Sequence, residues 1–240
     1  MKKLTLIFAF IVLVLPIMAQ ETADPPKENT VPPKEEKDRS FSTTTDIYTD
    51  MWMDVPEGID LRFFQQGLNL GGMFTNRFGK SAFSIAIGPV IGVHNLYSDG
   101  MFQIDTSGAT IMTKLPGTDP DGKSISYKRN KLTLAYLDFP LEFRMKTKSG
   151  VLASVGFKAG FLINSHTKYR GDNYLTDAEQ ELRVKHADLP NVETYRYGVQ
   201  MRLGYKNVAL YGFYSLSKVF QEGQGPAFYP ISIGLSLRPF

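Results

Sequence analysis

From about residue 45 onward, apolar and polar residues alternate one for one. Over 195–205, Tyr195, Tyr197, Val199, Met201, Leu203 and Tyr205 share one parity, and Arg196, Gly198, Gln200, Arg202 and Gly204 share the other. Successive side chains of a strand point to opposite faces, so this segment predicts a strand with one apolar face and one polar or small face. Its length matches the roughly 9–11 residues that a tilted strand needs to cross a bilayer core. The pattern recurs over 135–145, where Leu137, Phe139, Leu141, Phe143 and Met145 oppose Asp138, Pro140, Glu142 and Arg144. It recurs over 151–163, with Lys158 on the polar side, and over 231–238, with Arg238 on the polar side. Weaker versions occupy 61–75, 81–96 and 208–217, and Ile47–Met53 is a candidate first strand.

The connections decide the topology. Asn76–Lys80, Lys146–Gly150 and Tyr205–Asn207 read as tight turns, whereas 98–129, 169–192 and 218–229 are long, and Val55–Asp60 is short. Short turns alternating with long loops are the organisation of an outer-membrane barrel, and an even strand count returns both ends of the chain to one side. The expected fold is therefore all-β, an antiparallel up-and-down transmembrane β-barrel of eight strands spanning 45–240. A soluble sandwich or lipocalin-like barrel alternates in the same way with its apolar face turned inward, and alternation alone does not say which face is which. Two features favour the membrane reading: polar faces rich in glycine, and aromatic residues at strand ends. Tyr97 and Tyr136 are expected near one rim, and Phe143, Tyr205 and Phe240 near the other.

The N-terminal part differs in kind. Lys2 and Lys3 precede the apolar run Leu4–Leu15, Pro16 follows, and Met18-Ala19 precedes Gln20, so residues 1–19 read as a cleaved signal peptide. Residues 20–44 carry Pro-Pro-Lys-Glu twice, at 25–28 and 32–35, and read as a disordered periplasmic linker that buries too little apolar surface to fold. The chain has no cysteine, which removes disulfides, thiolate metal sites and a lipid-acceptor thiol. Its net charge of +3 is small and its basic residues are spread out, unlike a nucleic-acid-binding face. With 12 Tyr, 17 Phe and 21 Gly, the composition suits strands with an aromatic belt.

The last strand, Tyr229-Pro230-Ile231-Ser232-Ile233-Gly234-Leu235-Ser236-Leu237-Arg238-Pro239-Phe240, resembles the signal by which barrel-assembly machinery recognises its clients. Ser232, Gly234, Leu237 and Phe240 match positions of that signal. Arg238 stands where an aromatic or apolar residue is usual. Together with Tyr136-Leu137-Asp138-Phe139-Pro140-Leu141-Glu142-Phe143 and Gly156-Phe157-Lys158-Ala159-Gly160-Phe161, it makes 45–240 similar to the PorT-like outer-membrane β-barrel family of Bacteroidetes-type bacteria. The resemblance implies an eight-stranded barrel in the outer membrane, and some members of that family are linked to protein export. It implies lipid and the assembly machinery as partners, and the outer loops are where an envelope protein partner would dock.

Parity assigns Asp138, Glu142, Arg144, Lys158, Arg196, Arg202 and Arg238 to the lumen. An eight-stranded barrel is just wide enough for side chains to fill, so these charges are expected to interlock as a structural network rather than line a pore. His94 and His166 fall near the outer ends of their strands and His186 lies in a loop. They keep a rim-site enzyme open as an alternative, although no nucleophile–base spacing accompanies them. No HxH or HxxxH spacing points to a metal, and Asp119-Pro120-Asp121-Gly122 reads as a turn rather than a calcium loop. No cofactor is expected. The favoured function is a structural or interaction barrel, accessory to an envelope or secretion complex.

Overall fold

The computed structural model describes residues 39–176 and 179–237, and among these it contains twelve strands and no helix. In chain order they are β1 (Arg39–Met53), β2 (Gln66–Arg77), β3 (Phe83–Ile87), β4 (Val90–Tyr97), β5 (Gly100–Ile104) and β6 (Thr110–Lys114). There follow β7 (Tyr127–Lys146), β8 (Val151–Asp172), β9 (Glu181–Ala187), β10 (Tyr195–Tyr205), β11 (Val208–Ser215) and β12 (Tyr229–Leu237). The residues read as a signal peptide, most of the linker, and Arg238 and Phe240 lie outside the described residues.

The strands close on themselves. β1 pairs with β2, β2 with β3 and β4, both of these with β7, and β7 with β8. β8 pairs with β10, β10 with β11, β11 with β12, and β12 returns to β1, every pairing antiparallel. β3 and β4 act as one strand, because Phe74↔Ile87 and Gly71↔Val90 keep a single register across Gly88-Pro89. Pro89 has no N–H to give to a ladder, which accounts for the interruption. The ring thus has eight staves and no free edge.

The faces sort by chemistry. Val155, Met201, Leu203 and Leu210 point outward and are 54–62% exposed, whereas Asp46, Asp138, Ser232 and Ser236 point inward and are fully buried. Ile47, Leu70, Phe74, Ile87, Phe139, Leu141, Phe157 and Ile233 continue the outer apolar surface around the ring. A soluble barrel or sandwich would bury these residues. A continuous apolar belt of this extent instead marks a surface made for lipid, and the soluble reading falls on that observation.

Several boundaries differ from those expected. The first strand starts at Arg39, not at Ile47, and so reaches back into the expected linker. Ser40–Thr44 is Ser-, Thr- and Phe-rich and ladders with Gly71–Thr75, and Phe41 packs on Phe74 with ring centroids 5.1 Å apart. β7 and β8 run eight or nine residues beyond the expected crossing segments and take up β9 as a third strand. Much of 98–129 is the β5–β6 hairpin rather than open loop. Tyr136, expected at the rim, is buried inside the ring. β7 keeps its parity past a bulge against β8 between Ala135 and Tyr136, so Tyr136 shares the inner row with Asp138. Tyr97 is half-buried at the long-loop end, and Phe143 and Tyr205 stand outward at the short-turn end.

Candidate functional site

The ring encloses a charged lumen. Four carboxylates, Asp46, Asp50, Asp138 and Glu142, share it with four cations, Arg144, Lys158, Arg196 and Arg202, and all eight are at most 5% exposed. Nearest the short turns, Arg144 Nε donates to Glu142 Oε2 (2.6 Å) and its Nη1 to Thr75 Oγ1 (3.1 Å). Glu142 Oε1 also accepts from Arg202 and from Gln200. Arg202 reaches the other way to Asp46 Oδ2 (2.9 Å) and to Ser236 Oγ (3.2 Å). It therefore bridges two carboxylates carried by β1 and β7, three staves apart in the ring.

The middle layer is built on Tyr211 and Asn69. Asn69 Nδ2 donates to Asp46 Oδ2 (3.0 Å) and to the Tyr211 hydroxyl (3.0 Å), which also accepts from Lys158 Nζ (3.2 Å). Lys158 Nζ lies 3.7 Å from Asp138 Oδ2 and 3.8 Å from the centre of the Phe213 ring. Arg196 pairs with Asp138 through both arms, Nε donating to Oδ1 at 2.9 Å, and its guanidinium sits 3.9 Å over the Tyr136 ring. Glycine makes the room: a Cβ on Gly92 would stand 2.6 Å from Arg196 Nη2 and 2.9 Å from Asp138 Oδ2. A Cβ on Gly160 would collide with Asp138 itself. The small residues of the polar faces thus hold the volume that the long charged side chains fill.

A third group lies beside these. His94 Nδ1 is 2.8 Å from Asp50 Oδ2, and its Nε2 is 3.1 Å from the Tyr48 hydroxyl. Ser232 Oγ donates to Asp50 Oδ1 (2.6 Å). His94 was expected near a solvated rim. It is instead 1% exposed, because it shares the inward row of β4 with Gly92 and Leu96. His166 is half-buried and His186 exposed on neighbouring strands, where Thr167 rather than His166 pairs with His186, so the two rings take opposite faces. Among the described residues no group of His, Asp and Glu has the arrangement of a metal site.

Above the charges the lumen is closed by an apolar cap drawn from strands and loops far apart in sequence. Trp52, Leu96, Met112, Leu132, Leu134, Tyr136, Val192, Phe220 and Phe228 form one buried cluster, with Trp52 edge-on to Phe228 at 5.4 Å and Phe220 edge-on to it at 5.5 Å. Thr110 N donates to the Gln224 carbonyl, Thr110 Oγ1 to the Pro190 carbonyl, and Asn191 Nδ2 to the Gly108 carbonyl, each at 2.9 Å. These bonds latch the β5–β6 hairpin to two other loops. Asp119–Gly122 is a turn, with Gly122 at φ +82° and Asp119 Oδ1 accepting the Lys123 N–H.

Of the charges assigned by parity, Asp138, Glu142, Arg144, Lys158, Arg196 and Arg202 lie together in the lumen. Asp46, Asp50, Tyr48, Tyr211 and Asn69 are not singled out by the sequence, which places His94 at the rim rather than in the lumen. Parity carried the signal for the first two, since Asp46, Tyr48 and Asp50 alternate with Ile47, Thr49 and Met51. Of the residues matched to the assembly signal, Ser232 faces inward onto Asp50 and Leu237 outward. Gly234 leaves the space occupied by Tyr48 on β1.

Comparison with known proteins agrees with this architecture. Residues 64–221 match a family described as outer membrane protein beta-barrel domain. No curated protein and no solved structure shows a significant match.

Proposed function

The chain belongs to the outer membrane protein beta-barrel domain family, and from that premise we propose that it is a sealed, non-conducting barrel whose work is interaction rather than transport or turnover. The observation that carries the reading is the double closure: four acids matched by four bases across the lumen, beneath an apolar lid. A porin needs a water-filled path, whereas charges paired side to side at this density leave none. The burial of His94 supports interaction over a rim-site enzyme, because a general base must reach substrate. The short turns and both termini face the periplasm in this reading, and the folded loops face outward, as barrels with short periplasmic turns have it. A docking role in an envelope or protein-secretion complex, in line with the PorT-like resemblance, follows from an ordered outer surface on a wall with no passage.

Conductance tests the reading. The purified barrel in planar bilayers is expected to give no channel steps, and a Phe228→Ala variant is expected to stay silent because the charge network remains below the loosened lid. Porin-sized steps from the unmodified protein would overturn the proposal.

A further inference from the structure

The sheet that β7, β8 and β9 form beyond the barrel carries a grid of cations on one face. Lys131 pairs with Lys168, which pairs with Lys185; Arg129 pairs with Arg170, which pairs with Arg183. Directly opposed residues of antiparallel strands project to the same side, so these are two parallel rows of three positive charges. The other face of the same strands turns Asn130, Leu132 and Tyr169 inward. Like charges placed directly opposite one another destabilise a sheet, so such a grid calls for an anion. Glu181 meets part of that demand. It accepts from Arg183 (2.6 Å) and Arg170 (2.7 Å), which pull its carboxyl down to about 2. Among the described residues no carboxylate lies within ion-pairing distance of Arg129, Lys131, Lys168 or Lys185. Burial, then the positive fields of Arg129 and Lys168, hold the Lys131 ammonium below its ordinary pKa.

Position identifies the class of anion. Lys131 lies on the same outward row of β7 as Leu137, Phe139 and Leu141, so the grid stands directly above the apolar belt. The apolar surface reaches Ile163 on β8, and the five residues from Ile163 to Lys168 span about 16 Å along the strand at ~3.3 Å per residue. With the usual tilt of ~35–45°, that is roughly 12 Å above the belt. A phospholipid headgroup layer adds only about 5–8 Å to each side of the hydrocarbon core. Anions at the height of the grid therefore belong to a lipid with a larger, sugar-built headgroup. Apolar surface borders the same rim: Phe63, fully exposed, and Phe64 follow Arg62, whose guanidinium lies 5.4 Å from the Tyr97 ring centre. Cations beside exposed aromatic rings fit an anionic amphiphile better than a soluble polyanion.

We propose that the outward face of β7–β9, through Lys131, Lys168 and Lys185 with Arg129, binds the phosphorylated headgroup of an outer-leaflet glycolipid. The location, though not the chemistry, rests on the orientation adopted above.

The test uses the folded full chain in detergent with fluorescent, phosphorylated lipopolysaccharide as the probe. Binding is expected to weaken with salt, and roughly a hundredfold in a Lys131→Gln/Lys168→Gln/Lys185→Gln variant, given three basic contacts near an anionic surface. A Lys148→Gln variant at the opposite end is expected to bind as the parent does. Wild-type affinity in the triple variant would overturn the proposal. Equal displacement by free inorganic phosphate at matched phosphate concentration would also overturn it, in favour of a soluble anion. Orientation is read separately in intact cells, where a Lys185→Cys variant of this cysteine-free chain is expected to react with a membrane-impermeant maleimide. Labelling only after lysis would overturn the location while leaving the detergent result to judge the chemistry.

Discussion

Replacing Arg202 with Met is expected to destabilise the folded barrel by about 3–5 kcal/mol, the usual cost of stripping one partner from a buried ion pair. Arg202 bridges Asp46 and Glu142, so its loss leaves two enclosed carboxylates short of positive charge. Met occupies similar length without the charge, which keeps the loss electrostatic rather than one of packing. Neutralising one acid at the same time, as Arg202→Met with Glu142→Gln, restores equal numbers of buried acids and bases. The pair is expected to lose less than the sum of its single variants, by roughly 0.5–3 kcal/mol of coupling. Urea titration of folding into lipid vesicles measures all three variants. An Arg202→Met barrel as stable as its parent would mean that the lumen is wet enough to solvate both carboxylates.

The second large effect lies on the other face of the same strand. Met201 is 59% exposed near the middle of the β10 crossing, and Tyr205 stands at its short-turn end. Met201→Arg is expected to cost about 2–4 kcal/mol, against about 0–1 kcal/mol for Tyr205→Arg, because the penalty for an arginine follows its depth in lipid. On a water-exposed surface either change would fall within about 0.5 kcal/mol of zero. The difference between the two positions, in the same vesicle titration, therefore reports the depth profile of the solvent rather than the helpfulness of any one contact.

How much of this was legible in the sequence depends on whether the relevant signal was local. Parity alone placed Asp138, Glu142, Arg144, Lys158, Arg196 and Arg202 on polar faces, since each belongs to a strand with strict alternation. The same rule reaches Asp46 and Asp50 only if the first strand is begun early enough. Compositional contrast set that start late, because Ser40–Thr44 looks like linker until Gly71–Thr75 is seen beside it. Tyr136 was misplaced because its position at a strand end looked like a girdle position, whereas parity, kept across the bulge, sends it inward. The sheet of β7–β9 escaped notice for a different reason. Its outward residues are charged rather than apolar, so the alternation there is polar against part-buried and carries little hydropathy contrast. The apolar cap was not legible at all. Trp52, Met112, Val192 and Phe228 come from four separate segments, and only closure of the ring brings them together.

The most direct test of the central claim, that the apolar wall faces lipid and the polar wall faces inward, uses the fact that the chain has one tryptophan. Trp52 is enclosed in the cap, 7% exposed, and can be replaced by Phe, after which Val199→Trp puts a single indole on the outer wall. In vesicles of brominated lipid, fluorescence of the Val199→Trp protein is expected to be strongly quenched by the acyl-chain bromines and insensitive to aqueous iodide, with Trp52 in the parent protein quenched weakly by the same bromines. Quenching by iodide and not by bromolipid at position 199 would contradict the account, because that wall would then face water.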